Sequence, residues 1–285
     1  MRAVLAIAGV LLSAQAFKSG IEEVAVSVTV HGRSSERVTD LRQTDFRILD
    51  DGRPVKIEVF GNARRPARIM LLLDTSASMS GSLARLQSAA RAFLARLAPD
   101  DSVRLGTFSD HLRLSPTFVP ASDESLARMP MSAGSNVTVL YGALVEACGA
   151  FDDGEHRVIV VVSDGADTAS IASERTVMQR ATHAGVTIYA IGLNSRFLER
   201  GRSVVRGPDP ALRDIAEDSG GTYVFGEQSG DLTELLAPIL DELHHEYILG
   251  FIPAQADGRI HSLVVRVTRP DVVVRARRHY LAHKD

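Results

Sequence analysis

Two wholly apolar runs, each leading into an aspartate, constrain the fold more than any other feature of the sequence. Residues 69–73 run directly into Asp74, and residues 158–162 run into Ser163 and Asp164. An apolar run of this length with no polar alternation is typical of a strand buried on both faces, as strands are in parallel sheets. The two runs therefore predict two inner strands of a parallel sheet, each with a carboxylate at its carboxyl end.

Strand-like and helical patterns alternate between residues 67 and 243. Helices are predicted over 83–97, 138–150, 171–184, 210–216 and 232–243, and further strands over 103–108, 186–191 and 222–225. The polar, Gly- and Arg-rich segment 194–209 is predicted to be an exposed loop. Repeated β-α units favour an α/β fold with a doubly wound, mostly parallel sheet.

Both ends of the mature chain are rich in strand patterns and lack a helical period. Strands are predicted over 24–30, 46–49 and 55–60, with Asp50-Asp51-Gly52 as a hairpin turn, and over 247–252, 262–267 and 272–275. A three-stranded fragment buries little surface by itself, so we expect the two ends to pair into a small β-rich accessory unit. The expected division is an N-terminal β segment at 17–66, the α/β domain at 67–243 and a C-terminal β segment at 244–285.

The first 16 residues are typical of an export signal. Arg2 supplies a positive charge, residues 3–12 carry no polar side chain, and Ala14-Gln15-Ala16 is a cleavage pattern before Phe17. The apolar run is shorter than the roughly 20 residues that span a bilayer. We therefore expect a secreted or periplasmic protein that begins near Phe17; an N-terminal strand or a wrongly assigned start is the alternative.

Charge and cysteine content exclude two classes of function. The formal net charge is -3, whereas nucleic-acid binders usually carry a basic footprint. Cys148 is the single cysteine, so no disulfide forms within the chain. It lies in an apolar run with no local positive charge, which predicts a buried core residue and not a catalytic thiol.

Hydroxyl side chains accompany the two strand-end carboxylates. Ser76 and Ser78 follow Asp74 at the second and fourth positions, and Thr138 follows a Gly-Ser-Asn loop. In open α/β sheets ligands gather at the carboxyl ends of the strands, and two carboxylates brought together there repel unless a cation lies between them. A set of hard oxygen donors without Cys or His favours Mg²⁺, with Mn²⁺ or Ca²⁺ as alternatives, over Zn²⁺.

The pattern Asp74-Thr75-Ser76-Ala77-Ser78, then Thr138, then Ser163-Asp164-Gly165 resembles the metal-ion-dependent adhesion site (MIDAS) of von Willebrand factor A domains. The resemblance implies one Mg²⁺ held by a defined set of five residues, some of them through water. These metal-site residues are Asp74, Ser76, Ser78, Thr138 and Asp164. It also implies a non-enzymatic, adhesion-type module in which a partner protein supplies an Asp or Glu carboxylate to the open coordination position.

The terminal segments resemble those of a bacterial, exported subgroup related to von Willebrand factor A domains. The similar parts are the hairpin at 45–52, the Tyr-Ile-Leu-Gly-Phe strand at 247–251, and the late basic strand at 274–280. The sequence departs from common family patterns at Ala77 and Gly142, and at the Asn-Val pair before Thr138. None of these departures removes an expected ligand.

Other interpretations of the same residues stay open at this point. Asp74 and Thr138 are each suited to cap a helix, and Asp167 with Thr168 is expected to cap the helix after Asp164. A haloacid-dehalogenase-like phosphohydrolase also places an Asp after a buried strand, but its second Asp would fall at Ser76, and no Lys lies between Lys56 and Lys284.

Three further alternatives have weaker support. No G-x-S-x-G elbow supports a serine hydrolase. His244-His245-Glu246 lacks a third zinc ligand at a recognisable spacing. A structural domain with a non-functional metal site is the remaining alternative, because a fold does not by itself imply a function.

Overall fold

The structure, a computed structural model, describes residues 23–34, 36–122, 131–152, 154, 156–199, 202–228 and 230–284. The strands are β1 (Val24–Gly32), β2 (Phe46–Asp50), β3 (Arg53–Val55), β4 (Val59–Gly61), β5 (Arg68–Asp74), β6 (Ser102–Phe108), β7 (Leu112–Leu114), β8 (Val119–Pro120), β9 (Arg157–Ser163), β10 (Val186–Glu199), β11 (Arg202–Arg206), β12 (Tyr223–Glu227), β13 (Tyr247–Phe251), β14 (Ile260–Val267), β15 (Val272–Ala276) and β16 (His279–Leu281). The α-helices are α1 (Leu83–Leu94), α2 (Leu140–Cys148), α3 (Glu174–Ala184), α4 (Ala211–Ser219) and α5 (Leu232–His244). Short 3-10 helices cover Gln43–Asp45 and Ala77–Ser82.

The central sheet is mostly parallel, as the apolar runs predict. Strands β12, β10, β9, β5 and β6 pair in that spatial order, and every one of these pairings is parallel. The short strands β7, β8 and β11 pair antiparallel at the margins of the sheet. The two apolar runs are the inner strands β5 and β9, which confirms the Rossmann-like α/β architecture.

Helices cover both faces of this sheet because successive side chains of a strand point to opposite faces. Ile69, Leu71 and Leu73 pack in a core with α1 and α5. Met70 and Leu72 pack in a second core with α2, α3 and α4. Complete burial of such a side chain stabilises the fold by about 1.5–3 kcal/mol, so an uninterrupted apolar strand contributes to both cores at once.

Two helices begin later than their patterns predict. The helix expected from Thr138 begins at Leu140, and the helix expected from residue 171 begins at Glu174. Ser173 caps the second of these by accepting a hydrogen bond from the Thr176 amide. The loops before both helices are therefore longer than expected, which leaves more chain free to reach the edge of the sheet.

The segment 194–209 is not a loop throughout, and the prediction of an exposed loop is wrong there. β10 continues to Glu199 and pairs antiparallel with β11 in a hairpin. Polar and glycine residues interrupt the pattern over 194–209, so its periodicity gives no clear strand signal.

The single strand expected over 55–60 is two strands in different sheets. β3 pairs with β2, whereas β4 pairs with β13. The chain therefore crosses from one sheet to another within four residues after Val55. β16, at the C-terminal end, was also not predicted as a separate strand.

The chain ends meet in two four-stranded antiparallel sheets. One has the order β15-β1-β13-β4 and the other the order β16-β14-β2-β3. Both sheets contribute to one buried apolar cluster, with Val28 and Leu249 from the first and Ile48 and Leu263 from the second. Each sheet therefore combines strands that come before and after the α/β part of the chain.

The predicted hairpin turn between β2 and β3 is confirmed. Asp51 has φ 46° and Gly52 has φ 78°, so both central residues are left-handed. Two such residues define the type I′ turn that Asp-Gly sequences favour, because its twist matches that of the two strands.

Cys148 is buried on α2, as predicted, and burial raises the pKa of its thiol to about 12. Residues 1–22, which include the expected export signal, lie outside the described residues. Among the helices that the structure describes, none is long and apolar enough to cross a membrane.

Candidate metal centre

Adjacent parallel strands bring the two strand-end carboxylates to one place. β5 pairs with β9 so that Leu73 lies opposite Val162, which sets Asp74 beside Ser163 and Asp164. The Ser163 hydroxyl donates a 2.6 Å hydrogen bond to Asp74 Oδ2. Ser163 thus ties the end of β9 to the carboxylate at the end of β5.

The loop after Asp74 folds back over that carboxylate. The Ser76 amide donates to Asp74 Oδ1 at 2.8 Å, which is the local turn that an aspartate favours two residues ahead of an amide. The Ser76 and Ser78 hydroxyl oxygens lie 3.1 Å apart. The Ser78 hydroxyl donates to Asp164 Oδ1 at 2.8 Å. The four side chains therefore form one continuous polar cluster between the two strand ends.

Thr138 reaches the same edge from a third loop. The Ser135 carbonyl accepts a 2.9 Å hydrogen bond from the Ala77 amide, which joins this loop to the one after β5. Thr138 is buried, and its Oγ1 lies 3.7 Å from the point where a Cβ on Gly165 would stand. The structure thus brings together all five residues that the sequence predicts for the metal.

The two carboxylates of the cluster are buried, whereas Ser78 at its outer side is exposed. Asp74 and Asp164 are both 0% exposed, and Ser76 and Thr138 are buried beside them. Burial raises the pKa of the Asp74 carboxyl, while hydrogen bonds from Ser163 and Ser76 lower it. Buried carboxylates are costly unless protons or cations neutralise them. The donors are hydroxyl and carboxylate oxygens, so the residues present fit a hard divalent cation.

Helix capping does not account for the two residues that it could have explained. The Thr138 side chain caps no helix, since the N-cap of α2 is Val139, whose own side chain makes no capping bond. The Asp74 carboxylate contacts Ser76 and Ser163, and α1 begins nine residues later at Leu83. Both residues instead face the other strand-end loops.

The expectation that Asp167 caps the following helix is wrong. Its Oδ2 accepts from the Tyr141 amide at 2.8 Å, so it caps α2, the preceding helix in the chain. The Thr168 hydroxyl accepts from the Thr138 amide at 2.8 Å. These two residues hold the loop that carries Thr138 against the loop that carries Asp164.

Two further residues support the cluster and were not found from the sequence. The Gln228 amide nitrogen, just after β12, donates to Asp164 Oδ2 and to the Ser78 carbonyl, each at 3.0 Å. Asp209 accepts from the Tyr141 hydroxyl at 2.9 Å and from the Asp167 amide at 3.0 Å. Neither position carries a local sequence signal, because both reach the site only through the tertiary fold.

Comparison with known families agrees with the arrangement of strands and loops. Residues 69–166 match the family model described as the von Willebrand factor type A domain. The similarity to von Willebrand factor type A domains therefore covers this part of the chain. No curated protein sequence matches the chain significantly.

Solved structures show the same fold. A von Willebrand factor type A protein from Catenulispora acidiphila aligns with a TM-score of 0.52 at 13% identity, over 93% of this chain and 75% of that one. Proximal thread matrix protein 1 from the mussel byssus, in a structure with a zinc-occupied MIDAS motif, aligns with a TM-score of 0.52 at 16% identity, over 68% of this chain. The alignment spans 49% of the mussel chain, about half of its length.

Proposed function

We propose that this protein is a divalent-cation-dependent protein-binding module. One metal ion, Mg²⁺ in our proposal, is held at the carboxyl edge of the parallel sheet by Asp74, Ser76, Ser78, Thr138 and Asp164. The hydrogen-bonded chain from Asp74 through Ser76 and Ser78 to Asp164 is the observation that carries the proposal. A metal at this place also accords with the zinc-occupied motif of the mussel protein.

The chemistry of this site suits recognition of a carboxylate. Two aspartates neutralise a divalent ion, and the hydroxyl ligands add no charge. A metal with a vacant coordination position would then accept one more anionic oxygen, which an Asp or Glu of a partner supplies. The metal provides the charge, while this chain's residues fix where it lies and how far the partner enters.

Exposed apolar side chains occur on the same loops and strand that carry residues of the cluster. Val137, next to Thr138, is 37% exposed, and Phe225, three residues before Gln228, is 52% exposed. Ile171, in the loop after Asp164, is fully exposed. Large apolar residues that are exposed to solvent are typical of protein-binding surfaces. They favour a protein partner over a free small carboxylate.

The alternative functions have less support. A phosphohydrolase of the haloacid dehalogenase kind requires an acid at Ser76, whose hydroxyl instead lies 3.1 Å from that of Ser78. It also requires a Lys, and none lies between Lys56 and Lys284. A structural domain with a non-functional metal site is the second candidate, and it predicts partner binding that does not depend on metal.

We further propose that residues 17–66 and 244–285 form one accessory β unit on the domain at 67–243. The strand pairings between β1 and β13 and between β2 and β14 support this division. With residues 1–16 as an export signal, the protein would act outside the cytoplasm, like the bacterial subgroup that its terminal segments resemble.

Partner capture tests the proposed function. Wild-type protein immobilised with Mg²⁺ should retain a partner from the native organism, and chelation by EDTA should release it. Asp164→Ala should retain none. Asp110→Asn is the matched control, because Asp110 is an exposed carboxylate at the same sheet edge, bonded to Ser109 and His111 and outside the cluster. Capture that is unchanged by EDTA and by Asp164→Ala would contradict the proposal.

A further inference from the structure

A second group of carboxylates lies in the antiparallel sheet of β16, β14, β2 and β3. Asp50 ends β2, Asp51 opens the hairpin turn, and His261 lies on β14. β2 and β14 are paired so that Asp50 faces Leu263, which places His261 two residues beyond Asp50. The Asp51 amide donates to the Ser262 carbonyl at 3.0 Å, and the Ser262 amide donates to Asp51 Oδ1 at 2.9 Å. These two hydrogen bonds hold the turn against β14.

With the turn held in this way, one carboxylate oxygen of Asp50 and one of Asp51 lie near the same ring nitrogen of His261. His261 Nδ1 lies 2.9 Å from Asp51 Oδ2 and 3.6 Å from Asp50 Oδ1. One ligand atom from each of the three residues lies within 4.8 Å of the other two. Two ligand atoms bound to one Zn²⁺ at about 2.1 Å in tetrahedral geometry are about 3.4 Å apart, so the observed spacings bracket those of a shared ion.

Asp50 supplies an independent indication that a ligand belongs here. Its side chain is 5% exposed, and its buried Oδ1 atom makes no hydrogen bond of normal geometry among the described residues, although the Tyr280 hydroxyl interacts with this carboxylate. Buried carboxylate oxygens are normally satisfied, because an unpaired one costs free energy. This oxygen points toward the same space as His261 Nδ1.

The other ring nitrogen is held by a third carboxylate. His261 Nε2 lies 3.0 Å from Asp257 Oδ1. Asp257 is itself fixed by the Arg259 amide, which donates to the same oxygen at 2.9 Å. A carboxylate that accepts from one nitrogen of an imidazole, with the opposite nitrogen free for metal, is the usual outer support of a metal-bound histidine.

We propose that Asp50, Asp51 and His261 bind a divalent transition metal of the Zn²⁺ type, with Asp257 as the positioning residue. A nitrogen donor beside two carboxylates favours Zn²⁺ over Mg²⁺ or Ca²⁺, which prefer oxygen alone. Asp51 is exposed, so the ion has a route to solvent and room for a water as fourth ligand. The ion fastens the β2–β3 hairpin, from the N-terminal segment, to β14 from the C-terminal segment.

Cobalt titration of an Asp74→Asn variant tests this site without the proposed Mg²⁺ centre. The full chain should bind one Co²⁺ per molecule, with the strong visible absorption of four-coordinate cobalt. Adding His261→Gln should abolish that absorption, and Asp51→Asn should do the same if the first change unfolds the chain. Asp257→Asn should weaken binding about 10- to 100-fold.

His183→Gln, in the same Asp74→Asn background, is the matched control. His183 is an exposed histidine on α3 whose ring hydrogen-bonds the Gln179 carbonyl, and it lies outside the group of Asp50, Asp51 and His261. It should leave cobalt binding unchanged. Absence of binding in Asp74→Asn, or binding that survives both His261→Gln and Asp51→Asn, would overturn the proposal. Wild-type protein that binds a single cobalt ion, lost with His261→Gln, would contradict the Mg²⁺ centre and leave this site standing.

Discussion

The fold assembles two polar clusters in different ways. The Asp74 cluster consists of Asp74, Ser76, Ser78, Thr138 and Asp164, and the Asp50 cluster consists of Asp50, Asp51 and His261. Each contains a buried carboxylate. In the first, parallel strands end at a common edge and hydroxyl groups come from the loops that follow. In the second, antiparallel register sets a turn against a histidine on a neighbouring strand. The donor atoms differ accordingly, and this difference is why we propose a hard, partner-accessible ion for the first cluster and a softer, structural ion for the second. Changes confined to one cluster should therefore leave the other unaffected.

Of three substitutions that test whether the two clusters are independent parts of the molecule, Gln228→Ala should have the largest effect. The substitution removes the amide that holds Asp164 Oδ2, and loss of such outer support weakens metal binding about 10- to 100-fold. Calorimetric titration with Mg²⁺ would measure the loss. Cobalt binding at His261 should be unaffected, and an equal loss there would show that the two clusters are not independent.

Gly52→Ala should destabilise the hairpin region by about 1 kcal/mol, because an L side chain at positive φ is strained. Nothing lies within 4 Å of the added Cβ, so the cost comes from the backbone alone. Gly61→Ala is the matched control, since its Cβ also meets nothing and its φ is not in the positive range. Urea denaturation should separate the two, and equal stabilities would contradict the assignment of strain to Gly52.

A smaller effect, dependent on pH, is expected where the β-rich sheets meet the α/β domain. Burial first, then Arg275, lowers the pKa of His31, which lies on β1 at 3.8 Å from Glu242 of α5. When the pH falls below the usual histidine pKa, His31 binds a proton in the unfolded chain more readily than in the folded chain. The stability from neutral His31 is therefore fully present above about 6.5, the usual pKa of histidine, and is lost as pH falls from there through the lowered pKa of the folded chain.

The contribution of His31 can be measured as a change in the slope of unfolding free energy against pH. His31→Gln should flatten the dependence of unfolding free energy on pH by a fraction of the about 1.4 kcal/mol per pH unit that one full proton gives. Denaturation at pH 5, 6 and 7 would test this. Parallel curves for the variant and wild type would contradict the assignment.

The Asp74 cluster could be predicted from the sequence because its information is local. An apolar strand pattern places a carboxylate at a strand end, and hydroxyls two and four residues later belong to the same loop. Thr138 required the family resemblance, and its helix begins two residues later than expected. Gln228 could not be found, since nothing near it in sequence indicates that it reaches Asp164, 64 residues away.

The Asp50 cluster could not be predicted from the sequence, because its residues also meet only in the tertiary fold. Asp51 was assigned correctly to a hairpin turn, but its contact with Ser262 joins residues 211 apart. Such a contact depends on the register of β2 with β14, and a register cannot be read from either strand alone. The hairpin of β10 and β11 could not be predicted because polar and glycine residues interrupt the strand pattern over 194–209.

Calorimetric titration of the wild-type protein with Mg²⁺ is the most direct test of the central claim, that five side chains from three loops hold one hard cation. We predict one ion per chain in wild type and in the Asp110→Asn control, and at least about 100-fold weaker binding in Asp164→Ala, since losing a direct ligand should exceed the loss of its outer support. Wild-type protein that takes up no Mg²⁺, or Asp164→Ala that binds it equally well, would contradict the account.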